Sequence, residues 1–244
     1  MSYKNIPRLF INKVLKENIE IYLNVKDRHY LKNVLRLSEM KKIQVFNGKD
    51  GEWEALISSR DCNKITCFKK IKKQVFEDGA NLYFSIIKSQ SLRWLLEKST
   101  ELGVKNLYPM ITDRVNVRNL NYKKANLYLK EASEVSERLE LPKLHNIINF
   151  KDFIVNFKNK SENIIFCNEE RTDIHLSTYL KQNFSKNISF IIGPEGGFSD
   201  DEIKIVYKNP FIKRVKIHDR ILKAETAAVL VLSIYKNYLQ LARL

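Results

Sequence analysis

The stretch FIIGPEGGFSDDEI, residues 190–203, contains three of the chain's seven glycines within five positions, at Gly193, Gly196 and Gly197. The apolar residues before them are typical of a buried strand, and in open α/β sheets ligands bind beyond the carboxyl ends of such strands. Glycine allows the backbone to turn tightly and to approach a ligand closely. The stretch therefore predicts either a ligand-binding turn or a turn that only requires a left-handed backbone.

The residues after the glycines limit the kind of ligand. Ser199 and Glu202 have the spacing of a capping box, and Asp200 and Asp201 fall in the first turn of the helix that it opens. These carboxylates occupy the position where a phosphate would bind a helix N-terminus. The glycine spacing also differs from G-x-G-x-x-G, and no Walker lysine follows. The turn is thus suited to a neutral or cationic ligand that backbone groups hold.

A second polar group lies in IHDRILKAETAAVLVLSIY, residues 217–235, between a predicted strand and an apolar helix. Arg220 is flanked by apolar residues, so we expect it to be partly buried and to have an anionic partner. Thr226 falls at the start of the helix, beside its buried face, where it would act either as a cap or as part of a site.

Two further stretches carry arginines. If TDRVNVR, residues 112–118, is extended, Arg114, Asn116 and Arg118 face one way and either grip a nucleic acid or form a solvated edge. EVSER, residues 134–138, continues a predicted helix whose buried stripe includes Tyr128, Ala132, Val135 and Leu139. Glu134 and Arg138 have the spacing of an ordinary surface ion pair, so they too have two interpretations.

Two patterns of secondary structure divide the chain. Strands rich in β-branched and aromatic residues are predicted at 19–23, 42–46, 52–57 and 64–68, with a hairpin turn at 47–51 and one helical segment at 27–37. After residue 80, strands alternate with helices, which indicates a mostly parallel sheet covered by helices. The sequence predicts a small basic β-barrel domain at residues 1–76 and an α/β domain at 77–244.

Composition restricts the class of partner. The net charge is +15, of which residues 1–75 contribute +9, so a polyanion such as a nucleic acid is the simplest partner, although a lysine-rich surface that only solubilises would look the same. The first residues contain no apolar h-region, so we expect no secretory signal. The sequence has no apolar run long enough to cross a membrane and only three cysteines. We expect a cytoplasmic protein without structural metal.

The order of these stretches resembles one family. PRLF (7–10), NVLR (33–36), ELGV (101–104), TDRVNVR, E-x-S-x-R (134–138), IGPEGGFS (192–199) and RILK-x-ETA (220–227) occur in this order over nearly the whole chain. Together they are similar to the 16S ribosomal RNA uridine N3-methyltransferases, which belong to the SPOUT class. The pair IGPEGGFS and RILK-x-ETA is the specific part of the resemblance.

The resemblance implies a PUA-like β-barrel followed by a SPOUT α/β domain with a trefoil knot, a homodimer, and S-adenosyl-L-methionine as the cofactor. The cofactor loops would be 192–197 and 217–226, with a contribution from Cys167-Asn168-Glu169. The implied cofactor-binding residues are Ile192, Gly193, Glu195, Gly196, Gly197, Ile217, His218, Ile221, Leu222, Thr226, Cys167 and Asn168. This family usually has Leu-Gly where this chain has Ile217-His218, and Arg-Thr where it has Lys223-Ala224.

The implied substrate is a uridine in 16S rRNA of the small ribosomal subunit. Methylation at N3 requires loss of the imide proton, and Glu195 is the base hypothesis, because a carboxylate in a partly dry loop has a raised pKa. Arg220 or Arg118 would stabilise the uracil anion. The implied RNA contacts are Arg8, Arg36, Arg114, Arg118, Arg138, Lys69 and Lys70.

Two other functions are compatible with the same residues. One is a SPOUT methyltransferase that acts on another RNA nucleotide or on a 2′-hydroxyl, since glycines and arginines do not distinguish these products. The other is a non-catalytic rRNA-binding assembly factor, for which the departures at His218, Lys223 and Ala224 are the support.

Overall fold

The computed structural model describes residues 6–159, 161–168 and 173–242. Two compact units divide the chain: one contains residues 1–76 with 133–141, and the other contains 77–132 with 142–244. The sequence assigned 133–141 to the second domain. The structure assigns this segment to the first unit, because the Arg8 guanidinium donates to the carbonyls of Ser133, Glu134 and Arg138.

The first unit is built on one five-stranded sheet. Its strands are β1 (Arg8–Phe10), β2 (Glu20–Tyr22), β3 (Lys42–Phe46), β4 (Glu52–Ile57) and β5 (Lys64–Lys72), in the order β1-β3-β4-β5-β2. β3 and β4 form the predicted hairpin, with Gly48 and Gly51 in left-handed conformations in the turn between them. Leu9, Ile43 and Ile65 are among the side chains that fill the core of this sheet.

The helical segment of the first unit has two parts. Helix α1 (Val25–His29) begins after Asn24, whose side chain accepts from the amides of Lys26 and Asp27, and a π-helical turn follows at Tyr30–Val34. Leu31 is the buried residue of that turn. The predicted helix at 27–37 is therefore confirmed as helical, but it begins earlier and ends in a wider turn.

The second unit alternates strands and helices as predicted. Its strands are β6 (Asn81–Ser85), β7 (Asn106–Ile111), β8 (Lys143–Leu144), β9 (Ile148–Asn149), β10 (Asn163–Asn168), β11 (Ile188–Ile192) and β12 (Ile212–Lys216). Its helices are α2 (Ser89–Glu101), α3 (Tyr122–Val135, whose last three residues belong to the first unit), α4 (Phe150–Asn156), α5 (Leu176–Asn183), α6 (Asp200–Lys208) and α7 (Ala224–Leu241).

All strand pairs of this second sheet are parallel, in the order β12-β10-β11-β6-β7-β8, with β9 also paired to β7. One core cluster includes Leu95, Phe190 and Val231, and another includes Phe150, Phe166 and Val206. Helices α2, α3, α5 and α7 contribute to the first cluster, and α4 and α6 to the second. The predicted mixed α/β class is confirmed; the trefoil knot stays a prediction.

The long helix predicted up to Leu139 ends at Val135. Val135 is 82% exposed, so the prediction that it belongs to the buried stripe is wrong. Glu137 adopts a left-handed conformation (φ 60°), which a continuing helix does not allow. Arg138 is buried and lies beyond the end of α3, so the interpretation of a surface pair on one helix does not apply to it.

Among the described residues, no helix has both the length and the apolar character that crossing a bilayer requires. The same residues contain no group of three or more potential metal ligands. Cys62, Cys67 and Cys167 are free thiols, and burial raises the pKa of Cys67 to about 11.

Candidate functional site

A cavity of about 610 Å³ lies in the second unit, at the carboxyl ends of β10, β11 and β12. The loops that follow β11 and β12 form most of its wall, and the starts of α6 and α7 complete it. The lining residues are Arg114, Cys167, Asn168, Ile192, Gly193, Pro194, Glu195, Gly196, Gly197, Phe198, Asp200, Ile203, Ile217, His218, Asp219, Arg220, Ile221, Leu222, Ala224 and Ala227. All the predicted cofactor-binding residues except Thr226 lie in this lining.

The glycine-rich turn forms one wall, and two of its three glycines have a structural reason to be glycine. Gly197 has a left-handed backbone (φ 68°). A Cβ on Gly193 would lie 2.6 Å from the ring of Phe198, so this position has no room for a side chain. A Cβ on Gly196 would meet only ordinary contacts, the nearest at 3.5 Å on Arg114. The predicted left-handed turn is therefore confirmed at Gly197 alone.

The capping box at the start of α6 is present as predicted. The Ser199 hydroxyl accepts from the amide of Glu202, and the Glu202 carboxylate accepts from the amide of Ser199. Asp200 and Asp201 lie in the first helical turn, where negative charge is favoured by the helix dipole. Asp200 also lines the cavity, so an acidic group faces the ligand space.

The stretch 112–118 is not a strand. β7 ends at Ile111, and a turn at Asp113 and Arg114 follows, so the prediction of an extended segment is wrong. The physical reason is the Asp113 amide, which donates to Glu202 at the start of α6 rather than to a neighbouring strand. Arg114 donates to the carbonyl of Gly196 and lines the cavity. Arg114, Asn116 and Arg118 are exposed, with Val115 buried between them.

Asp113 anchors this turn from a second side. Its carboxylate accepts from Lys151, at 2.8 Å, and from the hydroxyl of Ser199, at 2.6 Å. These two hydrogen bonds hold the pKa of Asp113 below its ordinary value. The turn that carries Arg114 is thus fixed to α4 and to the start of α6.

The loop after β12 forms the opposite wall. Ile217 is buried, whereas His218, Asp219 and Arg220 are exposed. The prediction that Arg220 is partly buried is wrong, because only Ile217 and Leu222 of its apolar neighbours turn inward. The Nδ1 atom of His218 accepts from the amide of Arg220 at 2.9 Å. Lys216 pairs with Asp219 and lowers the pKa of that carboxyl.

The end of β10 contributes Cys167 and Asn168. The Asn168 side chain is buried and donates to the carboxylate of Asp173. Burial raises the pKa of the Cys167 thiol, which favours its protonated form. Glu169, the third residue of the predicted loop, lies outside the described residues.

The three candidate catalytic residues are not equivalent in position. Glu195 and Arg220 both line the cavity, and both are exposed. The partly dry environment on which the base hypothesis for Glu195 rested is therefore not present around its side chain. Arg118 is exposed and lies outside the cavity lining.

The candidate RNA contacts in the first unit form two groups. Arg36, Lys69 and Lys70 are exposed. The side chain of Arg8 is only 7% exposed and pairs with the fully buried Glu52, and Arg138 is buried as well. Contacts with the rest of the unit therefore take up the Arg8 guanidinium, so its position favours a structural role over a phosphate contact.

The sequence did not identify four lining residues: Phe198, Asp200, Ile203 and Ala227. Helical spacing contained the signal for two of them, since Ala227 follows Ala224 by three residues on α7 and Ile203 follows Asp200 by three on α6. Thr226 does not have this spacing from Ala224; it is exposed and lies outside the lining. The expectation that Thr226 contacts the cofactor stays a prediction, which its position outside the lining does not support.

Comparisons with known proteins agree with this geometry. Residues 78–236 match the model of an RNA methyltransferase domain, and residues 23–70 match the model of an RNA methyltransferase PUA domain. The chain is 33% identical to ribosomal RNA small subunit methyltransferase E of Rickettsia conorii, over 91% of each chain. It is 29% identical to the protein of the same name from Buchnera aphidicola, over 94% of this chain and 92% of that one.

Solved structures share the fold over nearly the whole chain. A ribosomal RNA small subunit methyltransferase E from Neisseria gonorrhoeae, bound to S-adenosyl methionine, matches with a TM-score of 0.84 at 22% identity and covers 96% of this chain and 98% of its own. A putative methyltransferase from Legionella pneumophila, in complex with the same cofactor, matches with a TM-score of 0.82 at 23% identity and the same coverage.

Proposed function

Because the chain belongs to the ribosomal RNA small subunit methyltransferase E family, we propose that it methylates N3 of a specific uridine in 16S rRNA, with S-adenosylmethionine as the methyl donor. The observation that carries the proposal is the cavity at the carboxyl ends of β10, β11 and β12. It lies within the part of the chain that matches the methyltransferase domain, and glycine-rich backbone and carboxylates form its wall.

The residues present fit this cofactor. A volume of about 610 Å³ is within the range of roughly 300–1,000 Å³ that ligand pockets occupy. Ile192, Leu222 and Ala227 provide an apolar wall for an adenine ring, and Glu195 and Asp200 provide negative charge that suits a sulfonium. When bound, S-adenosylmethionine supplies a methyl group on a positively charged sulfur.

The chain's own residues must prepare the uracil. N3 of a neutral uracil carries a proton and has no free lone pair, so a base has to remove that proton before N3 can accept a methyl group. In this proposal Glu195 takes the proton, and Arg220 or Arg118 stabilises the negative charge that develops on the uracil oxygens. Since Glu195 is exposed, bound RNA would have to exclude water from it.

Exposed basic residues would hold the RNA. Lys69, Lys70 and Arg36 supply positive charge on the first unit, and Arg114 and Arg118 supply it on the second. Phosphate contacts of this type give an affinity that falls steeply with salt. The proposal also includes a homodimer and a cytoplasmic location, where small ribosomal subunits are found.

The test is to incubate unmethylated 30S particles with the protein and S-adenosylmethionine and to analyse the rRNA nucleosides by mass spectrometry. The proposal predicts new 3-methyluridine, in parallel with an active homologue as a positive control. A different methylated nucleoside would indicate a methyltransferase for another RNA position.

A reaction without any methylated nucleoside requires a second measurement, which is calorimetric titration with the cofactor. Binding without methylation would mean that the protein acts on a different RNA. Absence of binding would support the alternative of a non-catalytic rRNA-binding factor.

A further inference from the structure

The imidazole of His218 forms a hydrogen bond with the backbone of its own loop, which is part of the cavity wall. The Nδ1 atom lies 2.9 Å from the amide nitrogen of Arg220, two residues on. A backbone amide can only donate, so Nδ1 must accept and must carry no proton. This is the contact that an Asn or Asp side chain makes with the amide two residues on in a turn.

This hydrogen bond lies in a loop that regular backbone hydrogen bonds do little to hold. It leaves β12 at Lys216 and enters α7 at Ala224. Among the described residues, no backbone–backbone hydrogen bond outside the regular elements involves residues 218–222. Five consecutive cavity-lining residues, 218–222, are therefore held by side-chain contacts, of which the His218 cap and the ion pair from Lys216 to Asp219 are two.

We propose that His218 is a positioning residue for the cofactor: its Nδ1 atom, as the acceptor of the Arg220 amide, fixes the loop at residues 218–222 in the cavity wall. The inference rests on the proposed function, because it concerns the cofactor of that reaction. It goes further by assigning a role to one side chain.

Two substitutions separate the hydrogen bond from the volume of the ring. His218→Asn keeps an acceptor for the amide two residues on. His218→Phe keeps a ring of similar size and has no acceptor. His175→Asn is the matched control, since the Nδ1 atom of His175 accepts from the amide of Ser177, also two residues on, and His175 lies away from the cavity lining.

The experiment is calorimetric titration of the full-length chain with S-adenosylmethionine at one constant pH. His218→Asn should bind within about twofold of the wild type, because its side-chain oxygen can accept from the Arg220 amide. His218→Phe should bind roughly three- to tenfold more weakly than the wild type, the change that one net hydrogen bond supports. His175→Asn should behave as the wild type.

Methyl transfer at saturating cofactor provides a second measurement, in which His218→Phe should raise the KM for S-adenosylmethionine more than it lowers kcat. If His218→Phe binds as the wild type and His218→Asn does not, the proposal is overturned while the proposed function stands. A wild-type chain that binds no S-adenosylmethionine overturns both.

Discussion

The backbone amide of Asp113 donates to the carboxylate of Glu202 at 2.8 Å, and the second oxygen of that carboxylate accepts from the amide of Ser199. Glu202 is fully buried, so neither amide has water as a substitute partner. One side chain therefore closes the capping box of α6 and also fixes the turn that carries Arg114 to the cavity.

Replacing Glu202 by alanine should destabilise the protein by about 1–3 kcal/mol, because the change leaves the Asp113 and Ser199 amides without their acceptor. Urea unfolding measures this change in free energy. Asp201→Ala is the matched control: its side chain is 77% exposed in the same helical turn and pairs with Lys204 only at the surface. The control should change stability by less than about 0.5 kcal/mol. Equal losses in both variants would contradict the role given to Glu202.

Gly193→Ala should lower the melting temperature in the absence of cofactor. The added Cβ would lie 2.6 Å from the ring of Phe198, and that ring cannot move freely because it packs against Phe150 and Phe166. Overpacking of this kind costs typically about 1–3 kcal/mol. Gly196→Ala is the control, since its nearest contact would be 3.5 Å away and its backbone is not left-handed. If both variants melt together, the close approach at Gly193 is not limiting.

The local parts of the fold could be predicted from the sequence. β3 and β4 have the predicted bounds, because alternating residues and a glycine-containing turn at 47–51 specify a hairpin within a few positions. The end of α3 could not be predicted in this way. It depends on Arg8, more than a hundred residues earlier, which binds the carbonyls at 133–138 and selects a non-helical path there.

In the candidate site, too, the features specified by local sequence could be predicted and the others could not. The two loops of the cavity were predicted from motifs. Phe198 was not predicted, because its ring lines the cavity in the space that a side chain on Gly193 would need. The exposure of Arg220 was also misjudged. Its apolar neighbours in the sequence suggested that Arg220 is buried. In a loop without regular hydrogen bonds, however, buried and exposed positions do not follow the periodicity of a strand or a helix.

Acidification from about pH 7 to about pH 5 should lower stability in part through His145. Burial, and then the charge of Lys143, hold the pKa of this imidazole below its ordinary value of 6.5. The unfolded chain therefore takes up a proton first as pH falls, so stability is complete above the unfolded pKa and declines below it. His145→Gln removes the titration while retaining a donor for Asn106, with which the ring is hydrogen-bonded at 3.0 Å.

Unfolding midpoints in urea at several pH values measure this effect. The His145→Gln variant should show a smaller loss of stability between about pH 7 and about pH 5 than the wild type. The carboxyls whose pKa values are lowered by ion pairs, such as Asp113 and Glu137, titrate at lower pH and affect a separate range. Identical slopes in the two proteins would show that His145 is not the group responsible.

Glu195→Gln should reduce kcat by about 10²–10⁴ while cofactor affinity stays within a few-fold, because a general base contributes to the chemical step. Single-turnover methylation of 30S particles at saturating S-adenosylmethionine measures kcat separately from binding. Asp200→Asn is the control, since Asp200 is another exposed carboxylate of the same cavity wall. Near-native turnover by the Glu195 variant would remove Glu195 as the base.

Replacing both Lys69 and Lys70 by alanine should weaken binding to small-subunit rRNA and reduce the slope of affinity against salt by about 1–2. Both side chains are exposed on β5, with the Lys70 ammonium 5.6 Å from the centre of the Trp53 ring.

Arg8→Ala should act differently. It leaves the buried Glu52 with Lys72 but without its guanidinium partner, and it should lower the melting temperature before it affects RNA affinity.

Filter binding at several salt concentrations, together with thermal melts of the same variants, distinguishes these two outcomes. The lysine pair should change the salt slope and leave the melting temperature nearly constant, because exposed lysines contribute little to stability. The Arg8 variant should change the melting temperature, because its side chain also ties the carbonyls of Ser133, Glu134 and Arg138 to β1. A lysine variant with unchanged affinity at every salt concentration would exclude this end of β5 from the RNA-binding surface.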